Sequence, residues 1–158
     1  MISRKFCLCL LMACLPLAAQ AQSTPSASQA TPAAGVAQAA GPSLFTDLGG
    51  LPVIQKVVDD FVAIMLADER IRFTFEGTNL PRLHEKLVEQ FCLLSGGGCT
   101  YTGDPMKEVH QGLKPTNAHF NALVEDLQLA MDRSGIGSRT QNRLLALLAP
   151  MQRDTVSR

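Results

Sequence analysis

The stretch Asp104-Pro105-Met106-Lys107-Glu108-Val109-His110-Gln111-Gly112-Leu113 opens with an Asp-Pro pair and places Met106, Val109, His110 and Leu113 at i, i+3, i+4 and i+7. It predicts a short helix with an imidazole in its apolar stripe. A histidine so placed has two readings. The commoner is a hydrogen-bonded core residue. The other is a neutral ligand to a metal enclosed by apolar walls.

Outward from this stretch, apolar residues recur at helical spacing and no segment alternates like a strand. Downstream, Thr116 caps a helix with Phe120, Leu123, Val124, Leu127 and Met131 facing inward, and Gly135 and Gly137 mark its end. Ser138-Arg139-Thr140-Gln141 reads as a capping box for the next helix, which carries Leu144, Leu145, Leu147, Leu148 and Met151. Upstream, Asn79 as cap and Pro81 in the first turn begin a helix from about Leu80 to Leu94. Leu83, Leu87, Phe91 and Leu94 run along one side of it until glycines stop it. The first long helix bears Ile54, Val57, Val58, Phe61, Val62 and Met65, with Pro52 in its first turn. The predicted class is all-α: two pairs of longer helices, with a short segment and glycine-rich connections between them.

Fourteen basic and fourteen acidic residues leave no net charge, so nothing draws the chain to nucleic acid or an anionic membrane. With no Trp and Tyr101 as the only Tyr, a base-stacking platform is excluded as well. There is no Gly-x-Ser-x-Gly, HExxH, phosphate loop or Cys-x-x-Cys, and His84, His110 and His119 form no recognisable triad. Any chemistry must therefore come from a cofactor. A single imidazole among Met106, Val109, Leu113 and Phe120 suits an iron porphyrin, whose macrocycle the apolar walls would cover.

Residues 1–21 have the layout of a secretory signal: Arg4 and Lys5, an apolar run from Phe6 to about Ala18, then Ala19-Gln20-Ala21. The expectation is a periplasmic or secreted protein released after Ala21. The alternative is a membrane-anchored lipoprotein, because Leu11-Met12-Ala13-Cys14 also reads as a lipoprotein box with Cys14 as the lipidated residue. Residues 22–42 are almost entirely Ala, Ser, Thr, Pro, Gln and Gly and read as a flexible linker, so the folded domain spans residues 43–158. Cleavage at Ala21 would leave Cys92 and Cys99 as the only cysteines. They form either a disulfide, which an oxidising compartment favours, or two separate thiols.

From Ser43 to about Asp154 the chain resembles the group 1 truncated haemoglobins, small two-on-two helical globins. The resemblance is carried by Leu44-Phe45-Thr46-Asp47-Leu48-Gly49-Gly50, Val57-Val58-Asp59-Asp60-Phe61, Leu66-Ala67-Asp68 and Phe75-Glu76-Gly77-Thr78-Asn79. It continues through Tyr101-Thr102-Gly103, then Met106 to Gly112 as its most specific piece, then Thr116 to Phe120 and Leu147-Leu148-Ala149-Pro150. It implies haem b (iron protoporphyrin IX) with His110 as the proximal iron ligand and Phe75 stacked on the haem. It also implies Phe61, Phe91, Met106, Phe120, Leu123, Leu144 and Leu148 as lining of the haem cavity. The partner it implies is a diatomic gas (O2, CO or NO), bound reversibly by a monomer or weak dimer.

On the distal side the chain departs from that family's pattern. Many members carry a Tyr and a Gln that donate hydrogen bonds to the bound gas, where this chain has Val62 and Leu87, and Leu83 one turn earlier is apolar too. Losing that donation costs a polarised ligand ~1.5–3 kcal/mol, roughly ten- to a hundredfold in affinity. Lys86, near the rim, meets a haem propionate or solvent, or else serves as sixth iron ligand in an electron-transfer protein if it is neutral. His84 points away. The enzymatic alternative is nitric oxide dioxygenation or peroxide chemistry with an unidentified electron donor, which the apolar distal set argues against. The non-haem alternative is a helical interaction module.

Overall fold

The computed structural model describes residues 43–156, so the signal segment 1–21, Cys14 and the linker 22–42 lie outside the described residues. Every regular element among the described residues is helical, and none is a strand. In chain order the helices are α1 (Leu44–Asp47), α2 (Gly50–Ala67), α3 (Leu80–Ser95), α4 (Met106–Val109), α5 (Asn117–Arg133), α6 (Ser138–Leu148) and α7 (Gln152–Thr155). Single 3₁₀ turns occupy Arg72–Phe75 and Ala149–Met151. Among the described residues no helix is long and apolar enough to cross a membrane.

The apolar stripes become the core. Ile54, Val57, Val58, Phe61 and Met65 of α2 are buried, and α2 packs most extensively on α5 and α3. Ala122, Leu127, Ala130 and Met131 of α5, Phe91 and Cys92 of α3, and Leu144 of α6 complete the same cluster. The expected caps form where side chains reach backbone N–H groups: Asn79 accepts from Arg82 at 3.0 Å, and Thr116 accepts from His119 at 3.3 Å. His119 returns the bond through Nδ1, which accepts from the Thr116 N–H at 3.3 Å.

Two local expectations are corrected. The capping box at Ser138–Gln141 does not form, and Gly137 takes the cap position without a side-chain bond. Gln141 turns inward instead, 3% exposed, and its amide donates to Asp132 Oδ1 at 2.6 Å and to the Ile136 carbonyl at 2.8 Å. That use satisfies a carbonyl in the tight α5–α6 turn from a buried side chain. The last helix also stops earlier than its apolar pattern suggests, because Pro150 supplies no N–H; Met151 falls in the 3₁₀ turn.

Candidate functional site

The long helix α3 carries two stripes side by side, each repeating about once per turn. Leu83, Leu87 and Phe91 face a cavity of about 360 Å³, to which Arg82, Lys86 and Gln90 of the neighbouring polar stripe also contribute. From α2 and the turn after it come Phe61, Met65, Ile71, Thr74 and Phe75. From α4, α5 and the chain end come Met106, Val109, His110, Leu113, Phe120, Leu123, Leu148 and Met151. The volume falls in the range of small-molecule sites, and the predominantly apolar lining with few polar groups is what such sites have.

His110 is the residue that gives this cavity chemistry. It ends α4 as the cap residue, and its Nδ1 lies 2.7 Å from the Met106 carbonyl oxygen. A carbonyl only accepts, so Nδ1 carries the hydrogen, and in the neutral imidazole the lone pair is then on Nε2. This is the arrangement that sets tautomer and ring orientation in a metal-ligating histidine. Val109 and Leu113 beside it are 42% and 48% exposed, both on the cavity lining. One bare imidazole nitrogen amid apolar surface suits a flat, greasy, iron-bearing macrocycle and offers little to a polar substrate. Among the described residues no group of three His, Cys, Asp or Glu side chains could hold a bare metal ion.

Of the residues singled out in the sequence, His110, Phe61, Phe75, Leu83, Lys86, Leu87, Phe91, Met106, Phe120, Leu123 and Leu148 all line the cavity. Val62 and Leu144 do not. Leu144 is 1% exposed in the interhelical core, and Val62 packs against that core from its edge. The departure expected at Val62 therefore acts at one remove, and Leu83 and Leu87 are the apolar residues that face the cavity. Missed were Thr74, Gln90, Tyr101, His119 and Met151. Tyr101-Thr102-Gly103 was a visible motif and Met151 stood in the apolar stripe of the closing helix, whereas nothing in the pattern marked Gln90.

The polar groups with visible bonds have their donors engaged. Thr74 Oγ1 donates to the Ile71 carbonyl at 2.7 Å, and Tyr101 donates to the Asp104 carbonyl at 3.2 Å. The Gln90 amide meets the sulfurs of Met106 and Met151, each at 3.7 Å. Lys86 Nζ is 2.9 Å from Glu89 Oε1 and 3.2 Å from Glu85 Oε1, and it also donates to Thr102. The Glu89 hydrogen bond, helped by Glu85, holds the Lys86 ammonium above the usual lysine range. The Thr102 backbone N–H and then Lys86 hold the Glu89 carboxyl below the usual carboxylate range. Burial, then Asp104, pushes the Tyr101 phenol up. His84 is off the cavity, with Nε2 2.8 Å from Asp59 Oδ1 on α2. Cys92 and Cys99 are joined as a disulfide, their Cα atoms 5.7 Å apart, within the ordinary range for such a bond.

These features define a helical protein built around an apolar pocket with the oriented imidazole of His110 on its lining. Comparison with known proteins gives the particular family. Residues 43–157 match the family model described as bacterial-like globin. The group 1 truncated hemoglobin GlbN of Mycolicibacterium paratuberculosis is 39% identical over 109 residues, covering 69% of this chain and 80% of that protein. The crystal structure of truncated hemoglobin from Tetrahymena pyriformis in its Fe(III) form superposes with a TM-score of 0.71 at 26% identity, covering 74% of this chain and all of that one. The 2/2 hemoglobin of a Synechococcus species shares the fold, with a TM-score of 0.69 at 24% identity over 74% of this chain and all of that one. The chain belongs to the bacterial-like globins and, within them, to the group 1 truncated haemoglobins, so haem is its cofactor.

Proposed function

We propose that this globin binds a diatomic gas reversibly at a haem iron ligated by His110 Nε2, in a pocket whose distal wall is apolar. The observation that carries the reading is the 2.7 Å bond from His110 Nδ1 to the Met106 carbonyl, which leaves Nε2 as the free donor on the cavity. The bound haem supplies an iron able to take a gas. His110 would hold that iron, and Phe75, Leu83, Leu87, Phe91, Leu123 and Leu148, which line the same cavity, would pack around the macrocycle.

The polar groups around the wall do not favour turnover of charged oxygen species, since the donors of Thr74, Tyr101, Gln90 and Lys86 are already engaged. Lys86 is equally unsuited as a sixth ligand: an amine binds iron only when neutral, and its carboxylate neighbours hold it as ammonium. Its role is to tie α3 to Thr102, a third use beside the propionate and the iron. The secretory layout of residues 1–21 supports a periplasmic site of action, where haem would be acquired after export.

The test is the absorption spectrum of reduced protein with and without carbon monoxide, for the native chain and for His110→Ala. The expected outcome is a sharp carbonyl Soret band in the native protein and its loss or large shift in the variant. Identical spectra in the two would overturn the reading. Slow or absent nitrate formation on mixing oxygenated protein with nitric oxide is expected, and rapid formation would favour the dioxygenase.

A further inference from the structure

The chain between α3 and α4 runs back along α3 and is fastened to it at three levels. Cys99 is bonded to Cys92 at the far end. Thr102 is bound to Glu89: its N–H donates to Oε2 at 2.8 Å, and its hydroxyl lies 3.0 Å from both carboxylate oxygens. Asp104 Oδ2 faces Arg82 at 3.4 Å. Residues 92, 89 and 82 therefore meet 99, 102 and 104 in reverse order, an antiparallel arrangement along the polar stripe. The turn at the top is made by Gly96, in the left-handed region at φ +87°, and by Gly97, where a Cβ would lie 2.6 Å from Cys92 Sγ and collide with the Phe45 ring.

This segment leads directly into α4, which buries none of its own residues and has the short helix α7 as its main helical contact. After His110 the chain passes through left-handed backbone at Gly112 and Lys114 and regains the core at Pro115, a buried residue. His110 thus hangs between two anchors, one of which is the fastened segment.

We propose that residues 99–104 form a strap that positions His110, with Glu89, Thr102 and the Cys92–Cys99 disulfide as its positioning residues. The inference rests on the His110 reading and deepens it. Each fastening acts through backbone: it fixes where α4 begins, hence where the Met106 carbonyl and the imidazole bound to it stand. Opening the disulfide with an external dithiol passes two electrons and two protons to the sulfurs, giving two thiols, while the dithiol is oxidised to its own disulfide. The strap is then held by the contacts of Glu89, Lys86 and Arg82.

The experiment uses the haem-loaded mature chain and two readouts. These are the iron–histidine stretching band of the ferrous protein by resonance Raman, and the rate of haem transfer to excess apomyoglobin. The samples are native protein, protein reduced with dithiothreitol and alkylated, Cys92→Ser with Cys99→Ser, Glu89→Ala, Glu89→Gln and His110→Ala, with helical content followed by circular dichroism. Opening the disulfide and Glu89→Ala are each expected to shift or broaden the band and to speed haem loss about tenfold, the low end for groups that orient a metal ligand. Glu89→Gln, which keeps an acceptor for the Thr102 N–H, is expected to recover part of both effects. An unmoved band and unchanged haem loss in Glu89→Ala and in reduced protein, with the band lost in His110→Ala, would overturn the strap alone. A band that survives His110→Ala would overturn the ligand assignment and the strap with it. Should the double serine variant fail to fold, Glu89→Ala decides.

Discussion

Helices α2 and α4 follow the same apolar spacing, yet they are held in opposite ways. Eighteen residues of α2 bury five side chains and pack mostly on α3 and α5, so tertiary burial stabilises it, with only Phe61 and Met65 of the five reaching the cavity. The four residues of α4 bury none. Met106 and Val109 of α4 line the cavity, so this element is held by its ends and by its packing on α7. One helix is thus held by the core it helps to build, the other mainly by its ends and its contacts with α7.

The sharpest test of that contrast is a matched pair of truncations in haem-free protein. Ile54→Ala, in the α2 core, is expected to cost about 2–5 kcal/mol by denaturant unfolding. Val109→Ala, half-exposed on α4, should change it by less than about 0.5 kcal/mol, and Val109→Ala should instead weaken haem retention. Equal costs in the two variants would break the comparison.

A smaller effect is expected on the α3 side of the cavity. Leu87→Gln adds a donor to an apolar wall and should slow oxygen release by ~1.5–3 kcal/mol, roughly ten- to a hundredfold, measured by stopped flow. Carbon monoxide, which carries less charge when bound, should change much less. If both ligands respond alike, the added side chain acts by size alone.

The smallest effect concerns how α2 is joined to α5. Asp126, 5% exposed on α5, has its carboxyl raised above the usual aspartate value of 3.8 by burial and then by Asp68, with Arg70 opposing. Asp68, the cap of α2, is lowered by its hydrogen bonds to Arg70. The signs differ. The Asp126 contribution is fully present below the unfolded value and is lost as pH rises through its raised native value. The Asp68 contribution is present above the unfolded value and is lost as pH falls through its depressed native value. Asp126→Asn should therefore flatten the decline in melting temperature as pH rises from 3.8 toward neutrality. A slope unchanged by this variant would mean that the buried carboxyl does not couple to folding.

Much of the helical layout was legible because its causes are local. Asn79 and Thr116 carry caps within three residues of themselves. His110 also belongs here, because its bond to Met106 spans one turn. The capping box at Ser138–Gln141 was misread for the complementary reason: Gln141 is claimed by Asp132 and Ile136 across the α5–α6 turn, a competition no four-residue pattern contains. Val62 and Leu144 were placed on the cavity wall on the strength of their positions in the pattern, but a period of 3.6 identifies a helix face and not what that face meets.

By itself, then, the sequence determined that the folded part is all-α, where most of its helices begin and end, and that one imidazole stands in an apolar stripe, since each follows from spacing and capping within a turn or two. Only the tertiary structure decided which apolar residues fill the core and which face the cavity. It alone brought Gln90, Tyr101 and Met151 to that cavity and laid residues 99–104 back along α3. Those outcomes depend on contacts between distant parts of the chain, whose formation is set by how whole helix faces pack and not by any local pattern.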